Sequence, residues 1–595
     1  MISEFIVRKI YFAFIGAALL CGCAAQSQKS VPKTLLFSPI TPEYLGDTAA
    51  DFKATGFDGF LLSDVMKNWA DDIWAADGDG MTRSEDDLTF RRIKLCNDEC
   101  RKHGITENFI KVAFYSHVPL WTDNAAWEKF NENFRQAARF ARMTGCRGIA
   151  LDIEYVSEQY DLDWEGYDYK GYTKDELRTA AVKRGRELTE VMLQSYPDMV
   201  FLTLPEGINY YGPLATDLFV GMVQGMAEAD APGGVHLLTE HSYKMVNTLG
   251  LLHYAQSLNS KILDKLDETM VRQAHHPERS RRTAKYWRRK CSIALGGWPL
   301  GYYREIHDKN GKLLGYSGKV EKFGDKIVGS YADKSSNYSP EDFRNQYAGM
   351  LLAGRRYCWI YGHGATWWHF TEADVAKYGS IGNSTLPVDG HLDDFKNVLR
   401  EKWTSTEPMK DISRMIRKGR SDDFLQLLNF VNNFKIIGSF GRRNFDNFGT
   451  VFPPEKAIDF DANYAGAGSA GQVHWQTASV DAVGYLDFLK HFSPGDWVCA
   501  YACCKVISPK AGPAQIRLGT NDTATVWLNG EKILSKNIER SAAPDSDILP
   551  VRLEKGENTI LIKVCNTERS WGLYLRITDD QGNPLKSLKF QPLPP

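Results

Sequence analysis

An excess of charge of either sign, a regular cysteine spacing and a lasting apolar span are all missing from this chain. Lys and Arg number 72 against 74 Asp and Glu, for a net charge of −2, so there is no basic field to draw nucleic acid. No CxxC pairs occur at zinc-ribbon spacing, and no structural zinc is expected. Beyond Cys21 and Cys23 lie Cys96, Cys100, Cys146, Cys291, Cys358, Cys499, Cys503, Cys504 and Cys565. This odd set cannot all pair internally, and several members sit in apolar runs, where a small buried thiol is the usual role. No GxGxxG follows the first strand candidate, which counts against a doubly wound open sheet, the alternative fold. The apolar run Ile10–Leu20 is too short to stay in a bilayer.

What is present begins with aromatics: Trp 15, Tyr 27 and Phe 30. Aromatics serve cores first, but a tryptophan-rich soluble chain also suits stacking against the apolar faces of sugars. An apolar content of 43% and a charged content of 25% are globular values. At 595 residues the chain is too long for one ordinary core, so two or three domains are expected. Arg8 and Lys9 precede the short apolar run, and "LCGC" (20–23) ends it, the layout of an export signal. That tetrapeptide resembles the bacterial lipobox. The resemblance implies a signal peptide over 1–23, lipidation of Cys23, a tether over 24–32 and a cell-envelope location with a membrane anchor. A plain secretory signal is the alternative.

Short apolar runs alternate with helical patterns through the first two thirds of the chain. They are "KTLLFSPI" (33–40), "FDGFLLSD" (57–64), "ENFIKVAFYS" (107–116), "CRGIALDIEY" (146–155), "MVFLTLPEG" (199–207), "GGVHLLTEHSY" (233–243), "CSIALGGWPLGYY" (291–303) and "RYCWIYGHGATWW" (356–368). Between them, 125–145 and 174–198 carry apolar residues at spacings of three and four, and end in Gly and near Pro. Eight strands alternating with helices predict a (β/α)8 TIM barrel over 33–400, an α/β fold, with a long loop over 309–342. A helical linker is expected over 401–432. From 433 to 595 the texture changes to short strands and Gly/Asn/Asp turns, including "TATVWLNG" with its hairpin Asn529-Gly530. This predicts an all-β jelly-roll sandwich. Its "GTNDTATVWLNGEKI…LEKGENTILIKVCN…WGLYLRI" run resembles the galactose-binding-like modules appended to bacterial glycosidases, which implies an accessory domain.

Active sites of such barrels gather at the carboxyl ends of the strands. Polar and aromatic groups cluster there: Asp64, His117, Asp152 with Glu154, Glu206, Glu240 with Tyr243, Trp298, and Trp367 with Trp368. Asp152 and Glu154 lie two apart, so on a strand they share a face, and like charges so close raise at least one pKa. Glycoside cleavage uses one carboxyl group to protonate the leaving oxygen and a second as base or nucleophile. Glu154 is the candidate general acid/base, Asp152 its electrostatic partner, and Glu240 a second catalytic candidate. Glu206, Tyr155, Tyr243, Trp298, Trp367, Trp368, His117 and Asp64 are candidate substrate contacts. Read structurally, a D-x-E after a strand is solvated or caps the next helix, and the tryptophans are core. His117, His236, His241, His363 and His369 stand near strand ends without diagnostic ligand spacing, so no metal and no cofactor is expected.

"GIALDIEY" also resembles the fourth-strand signature of family 18 chitinase-like hydrolases, D-G-x-D-x-D-x-E. Its last Asp, its Glu and the following Tyr fall on Asp152, Glu154 and Tyr155, while its two earlier Asp positions are Arg147 and Ala150 here. The resemblance implies a barrel hydrolase in which Glu154 is acid/base and Asp152 orients the substrate. The expected function is therefore hydrolysis of glycosidic bonds in a poly- or oligosaccharide. The alternatives are a non-catalytic glycan-binding surface lipoprotein and a metal-dependent barrel lyase or isomerase.

Overall fold

The computed structural model describes residues 31–591, apart from 39, 64, 66–71, 74–86, 115–117, 154–170, 206–211, 246–247, 273–276, 300–304, 308–312, 317–320, 324–325, 329–339, 363–366, 369–372, 374–376, 379–384, 387–391, 403–423, 482–483, 539–541, 543, 568–569 and 581. All eight expected runs form strands: β1 (Lys33–Phe37), β2 (Gly59–Leu62), β3 (Phe109–Ala113), β4 (Gly148–Asp152), β5 (Val200–Leu204), β6 (Val235–Thr239), β7 (Ser292–Gly297) and β8 (Tyr357–Tyr361). Each pairs in parallel with its sequence neighbours, and β8 closes on β1 through Leu35 opposite Trp359. The fold is a closed (β/α)8-type barrel.

Closure sorts each strand's residues by parity. Leu35, Leu61, Phe109, Ala150, Leu202, Leu238, Ala294 and Trp359 fill the interior as one cluster. Their neighbours Leu36, Phe60, Ile110, Ile149, Phe201, Leu237, Ile293 and Ile360 join a larger cluster with the surrounding helices. The helices carry their own start and stop signals. Helix Lys174–Ser195 opens with a reciprocal capping box between Thr173 and Glu176. Helix Asn124–Thr144 stops at Gly145, which adopts φ 81. Gly148 begins β4 for a different reason: a Cβ there would lie 1.8 Å from the Val200 carbonyl oxygen, inside the neighbouring strand.

The amino-terminal end of the barrel is sealed by buried polar groups. The Tyr357 hydroxyl donates to Glu107 at 2.5 Å, and the His236 ring stands edge-on to Tyr357 at 5.1 Å. His236 Nε2 donates to the Gly233 carbonyl at 3.1 Å, which leaves Nδ1 to accept from the Ser292 hydroxyl at 2.8 Å. This pattern belongs to a neutral imidazole. Burial, reinforced by the nearby Arg356 cation, lowers its pKa to about 3. Just outside, burial would raise Asp58, but the ammonium groups of Lys402 and Lys53 outweigh it and hold the carboxyl at about 2.

The long stretch after β7 contains two short antiparallel hairpins, Glu305–His307 with Leu313–Tyr316 and Glu321–Phe323 with Lys326–Val328. The C-terminal region is antiparallel throughout. Among the described residues its two main sheets have seven and four strands, and Asn463–Ala465 pairs with Gln472–His474 as a small ribbon. Between the two sheets, Ile436, Ala502, Val526 and Ile562 share a core with Ile516, Leu518, Leu575 and Ile577. Asn529 and Gly530 take φ 51 and 86, the primed turn expected of their hairpin. Strands and barrel meet where His253, on helix Thr248–Arg272, lies edge-on to Tyr574 at 4.7 Å and against Phe430. No helix among the described residues is long and apolar enough to cross a membrane.

His236 makes the barrel pH-sensitive in a stated direction. Its folded pKa lies below the unfolded value near 6.5, so its contribution is complete above pH 6.5 and is lost as pH falls toward 3. The slope approaches about 1.4 kcal/mol per pH unit inside that window. Urea unfolding between pH 4.5 and 6.5 should show stability declining with acid in the native protein and a flatter response in His236→Gln. Identical slopes in the two proteins would refute the assignment.

Candidate functional site at the carboxyl rim of the barrel

The inward parity of each strand runs on to the carboxyl rim, where the apolar filling gives way to charge and aromatic rings. Asp152 ends β4 and is 3% exposed. Its Oδ2 lies 3.5 Å from the Lys111 ammonium, and both side chains are buried. Lys111 shares the inward parity of Phe109 on β3, and its ammonium also sits 5.8 Å from the centre of the Phe37 ring at the end of β1. A buried ion pair of this kind tolerates its desolvation only because each charge is matched.

Opposite this pair stands a wall of rings from β6, β7, β8 and β1. Tyr243 stacks on Tyr361 at 6.1 Å and 12°. Trp298 meets Tyr361 at 4.6 Å and Tyr243 at 5.8 Å, both edge-on. Phe37 lies 5.7 Å from Tyr361 on the far side, and Trp359 supports Tyr243 from within the barrel at 5.5 Å. Tyr243 and Trp359 are buried, whereas Phe37, Trp298 and Tyr361 are half-buried. Glu240 follows β6 directly and accepts from the Tyr243 hydroxyl at 3.4 Å.

The turn that carries Glu240 and Tyr243 is held from three sides. It is a single 3-10 turn, His241–Lys244. The Ser242 hydroxyl donates to the Gly296 carbonyl at 2.8 Å and receives the Gly296 N–H at 2.9 Å, which locks the turn onto β7. The Gln346 side-chain amide, from helix Pro340–Ala353, points at the carbonyls of Ser242, Tyr243 and Met245. The Trp359 indole N–H donates to the Thr239 carbonyl at 3.1 Å. The rings are thus fixed before any ligand arrives.

The structure brings Asp152, Glu240, Tyr243 and Trp298 to the same rim. Glu154, Tyr155, Glu206, His117, Asp64 and Cys23 lie outside the described residues. One expectation is corrected. Trp367 and Trp368 are not pocket walls: they are 1% and 5% exposed. Trp368 stacks on Tyr44 at 6.0 Å and donates to the Thr48 hydroxyl, while Trp367 lies edge-on to Phe57 at 5.5 Å. The segments flanking β1 offer both indoles a largely apolar seat, with the Thr48 hydroxyl as partner for Trp368, worth more to large rings than the rim. Asp152 carries its charge beside the Lys111 ammonium, and its expected partner Glu154 lies outside the described residues. Lys111, Phe37, Trp359, Tyr361, Ser242 and Gln346 were missed in the sequence. Parity was the available signal: Lys111 stands two residues from the inward Phe109, and Tyr361 two from the inward Trp359. His236 lies at the opposite end of the barrel and His241 is exposed. Among the described residues no three His, Cys, Asp or Glu side chains converge on a common point suited to a metal ion.

No family model and no curated protein matches the chain. Solved structures do. A glucosidase from Croceicoccus marinus is 10% identical over 91% of this chain and 96% of its own, with a TM-score of 0.30. An alpha-amylase from Geobacillus thermoleovorans, complexed with acarbose, is 9% identical over 89% of this chain and 98% of its own, with a TM-score of 0.28. A cycloisomaltooligosaccharide glucanotransferase from Paenibacillus is 10% identical over 92% of this chain, with a TM-score of 0.28, and this chain spans 57% of its length. At such scores no residue correspondence follows.

Removing one partner of the Lys111–Asp152 pair strands the other charge in the barrel. Lys111→Met should cost about 3–5 kcal/mol in urea unfolding. Combined with Asp152→Asn, it should cost clearly less than the two single losses added together. Strict additivity would show that the two groups do not interact.

Proposed function

We propose that the chain is a glycoside hydrolase that works at the carboxyl rim of its barrel. The observation that carries this reading is the placement of two acids, Asp152 and Glu240, at the ends of β4 and β6, facing a wall of half-buried rings. Rings of this kind suit the apolar faces of sugars, and acids suit their hydroxyl groups and glycosidic oxygens. Glu154 is the proposed general acid/base, two residues beyond the buried Asp152. Asp152, held by Lys111, supplies a fixed negative charge for a transition state with oxocarbenium character. Glu240, braced by Tyr243, assists from across the mouth. Trp298 and Tyr361 are the proposed sugar platforms, and Phe37 extends them.

The placement of the protein in the cell belongs to the same proposal. A signal over 1–23 and lipidation at Cys23 would hold the enzyme at the cell envelope, where oligosaccharides arrive from outside. The C-terminal β region, with its resemblance to galactose-binding-like modules, is proposed as an accessory unit that braces the barrel.

The test is a glycan screen with the native protein, followed by two variants on whichever substrate is cleaved. Glu154→Gln should lower kcat by on the order of 10²-fold or more. Trp298→Ala should act mainly through KM, because a platform contributes to binding. Survival of near-native kcat in Glu154→Gln removes that residue from the role. Retention on a glycan affinity gel without release of reducing sugar favours a binding lipoprotein instead.

A further inference from the structure

Cysteine in this protein belongs to the cores: all nine described cysteines are buried free thiols. Two of them face each other. Cys499 and Cys565 are opposite residues in the antiparallel ladder between strands Val498–Ser508 and Gly556–Asn566. These are the longest strands of the β region, at 11 residues each. The Cys565 N–H turns away from Cys499 and donates to the Thr523 hydroxyl at 3.1 Å, on the opposite flank of its strand. A residue's N–H and C=O leave a strand on the same side, so Cys499 and Cys565 form a non-hydrogen-bonded pair. In such pairs the Cα atoms approach to roughly 4.5 Å and the side chains lie closest. That spacing falls within the range a disulfide spans.

The two thiols are close enough to perturb one another's ionisation. They lie on the outer face of the large sheet in a cluster with Ile437, Phe440 and Tyr501. Neighbouring cysteines lack this arrangement: Cys503 is opposite Leu561 and Cys504 is opposite Ile560.

We propose that Cys499 and Cys565 are a disulfide-forming pair, a covalent staple across the two longest strands of the β region, closed by exchange with a low-molecular-weight disulfide. Cys565 reacts first. It is the more exposed of the two, at 6% against 0%. The neighbouring Cys499 thiol and the Lys563 ammonium lower the Cys565 pKa, whereas burial pushes the Cys499 thiol up. The Cys565 thiolate attacks one sulfur of the donor, the donor's S–S bond breaks, and the leaving thiolate takes up the proton that Cys565 gave up. The Cys499 thiolate then attacks the Cys565 sulfur of the mixed disulfide. The second donor thiolate leaves and takes up the Cys499 proton. Two protein thiols are oxidised to one disulfide, and the donor disulfide is reduced to two thiols. Once formed, the bond is shielded from solvent reductants by the folded sheet, in which both residues are buried.

The experiment refolds the full chain from urea with either oxidised glutathione or dithiothreitol. Peptide mapping by mass spectrometry without reduction, and Tm, are then read. The oxidised sample should contain the Cys499 peptide joined to the Cys565 peptide, and should melt several degrees above the reduced one, as expected when a long loop is closed. Cys565→Ala and Cys499→Ser should each abolish the linkage and the oxidant-dependent rise in Tm, while Cys503→Ser keeps both. Free Cys499 and Cys565 after oxidative refolding, or either one joined to a different cysteine, overturns the proposal. Loss of activity plays no part in this readout, so the result stands apart from the hydrolase reading.

Discussion

Closure of eight short parallel strands gives every side chain on them one of two destinations, and the rest of the molecule depends on that constraint. Residues of one parity must fill a narrow interior; residues of the other must meet helices. The interior has two ends and no sides, so a polar group placed on the inward parity must appear at one of them. Glu107, Tyr357 and His236 appear at the amino end, paired and neutral or capped. Lys111, Asp152 and Glu240 appear at the carboxyl end, beside rings that reach solvent. The same geometry that seals one end leaves the other able to receive a ligand.

The barrel was legible because its strands are continuous apolar runs of the right length, separated by periodic helical segments with clear stops. Strand placement rests on local signals, and these agree with the tertiary outcome at all eight positions. The β region was legible for a similar reason: Asn529-Gly530 dictates its turn whatever the surroundings. The site was legible only in part. Asp152, Glu240, Tyr243 and Trp298 follow strand ends closely and so inherit the strand's direction. Trp367 and Trp368 lie several residues past β8, where strand parity no longer applies. Their final position was decided by packing against Tyr44, Phe52 and Phe57, partners far off in sequence. Lys111 was hidden by its company, since a lysine within an apolar strand reads as an interruption until its parity is counted.

Two kinds of buried charge recur, and they differ in purpose. Asp58, ringed by Lys33, Lys53 and Lys402, ties the start of β1 and β2 to the flanking helices at the closed end. Lys563 and Glu455, paired at 2.9 Å with the Tyr501 hydroxyl also on Glu455, anchor the covering segment of the large sheet. Lys111 and Asp152 resemble these in geometry but stand at the open end. A matched pair there holds a formal charge in one place, each partner offsetting the other's loss of solvent.

Gln346 gives the rim a further property. One amide group spans the carbonyls of Ser242, Tyr243 and Met245, in and just after the turn, and it comes from a helix about a hundred residues downstream, beyond the long insertion with its two hairpins. The ring wall is therefore clamped by the far bank of that insertion. The helix that follows the insertion thus fixes a turn that precedes it, so the wall stays upright whatever the length of the chain between them.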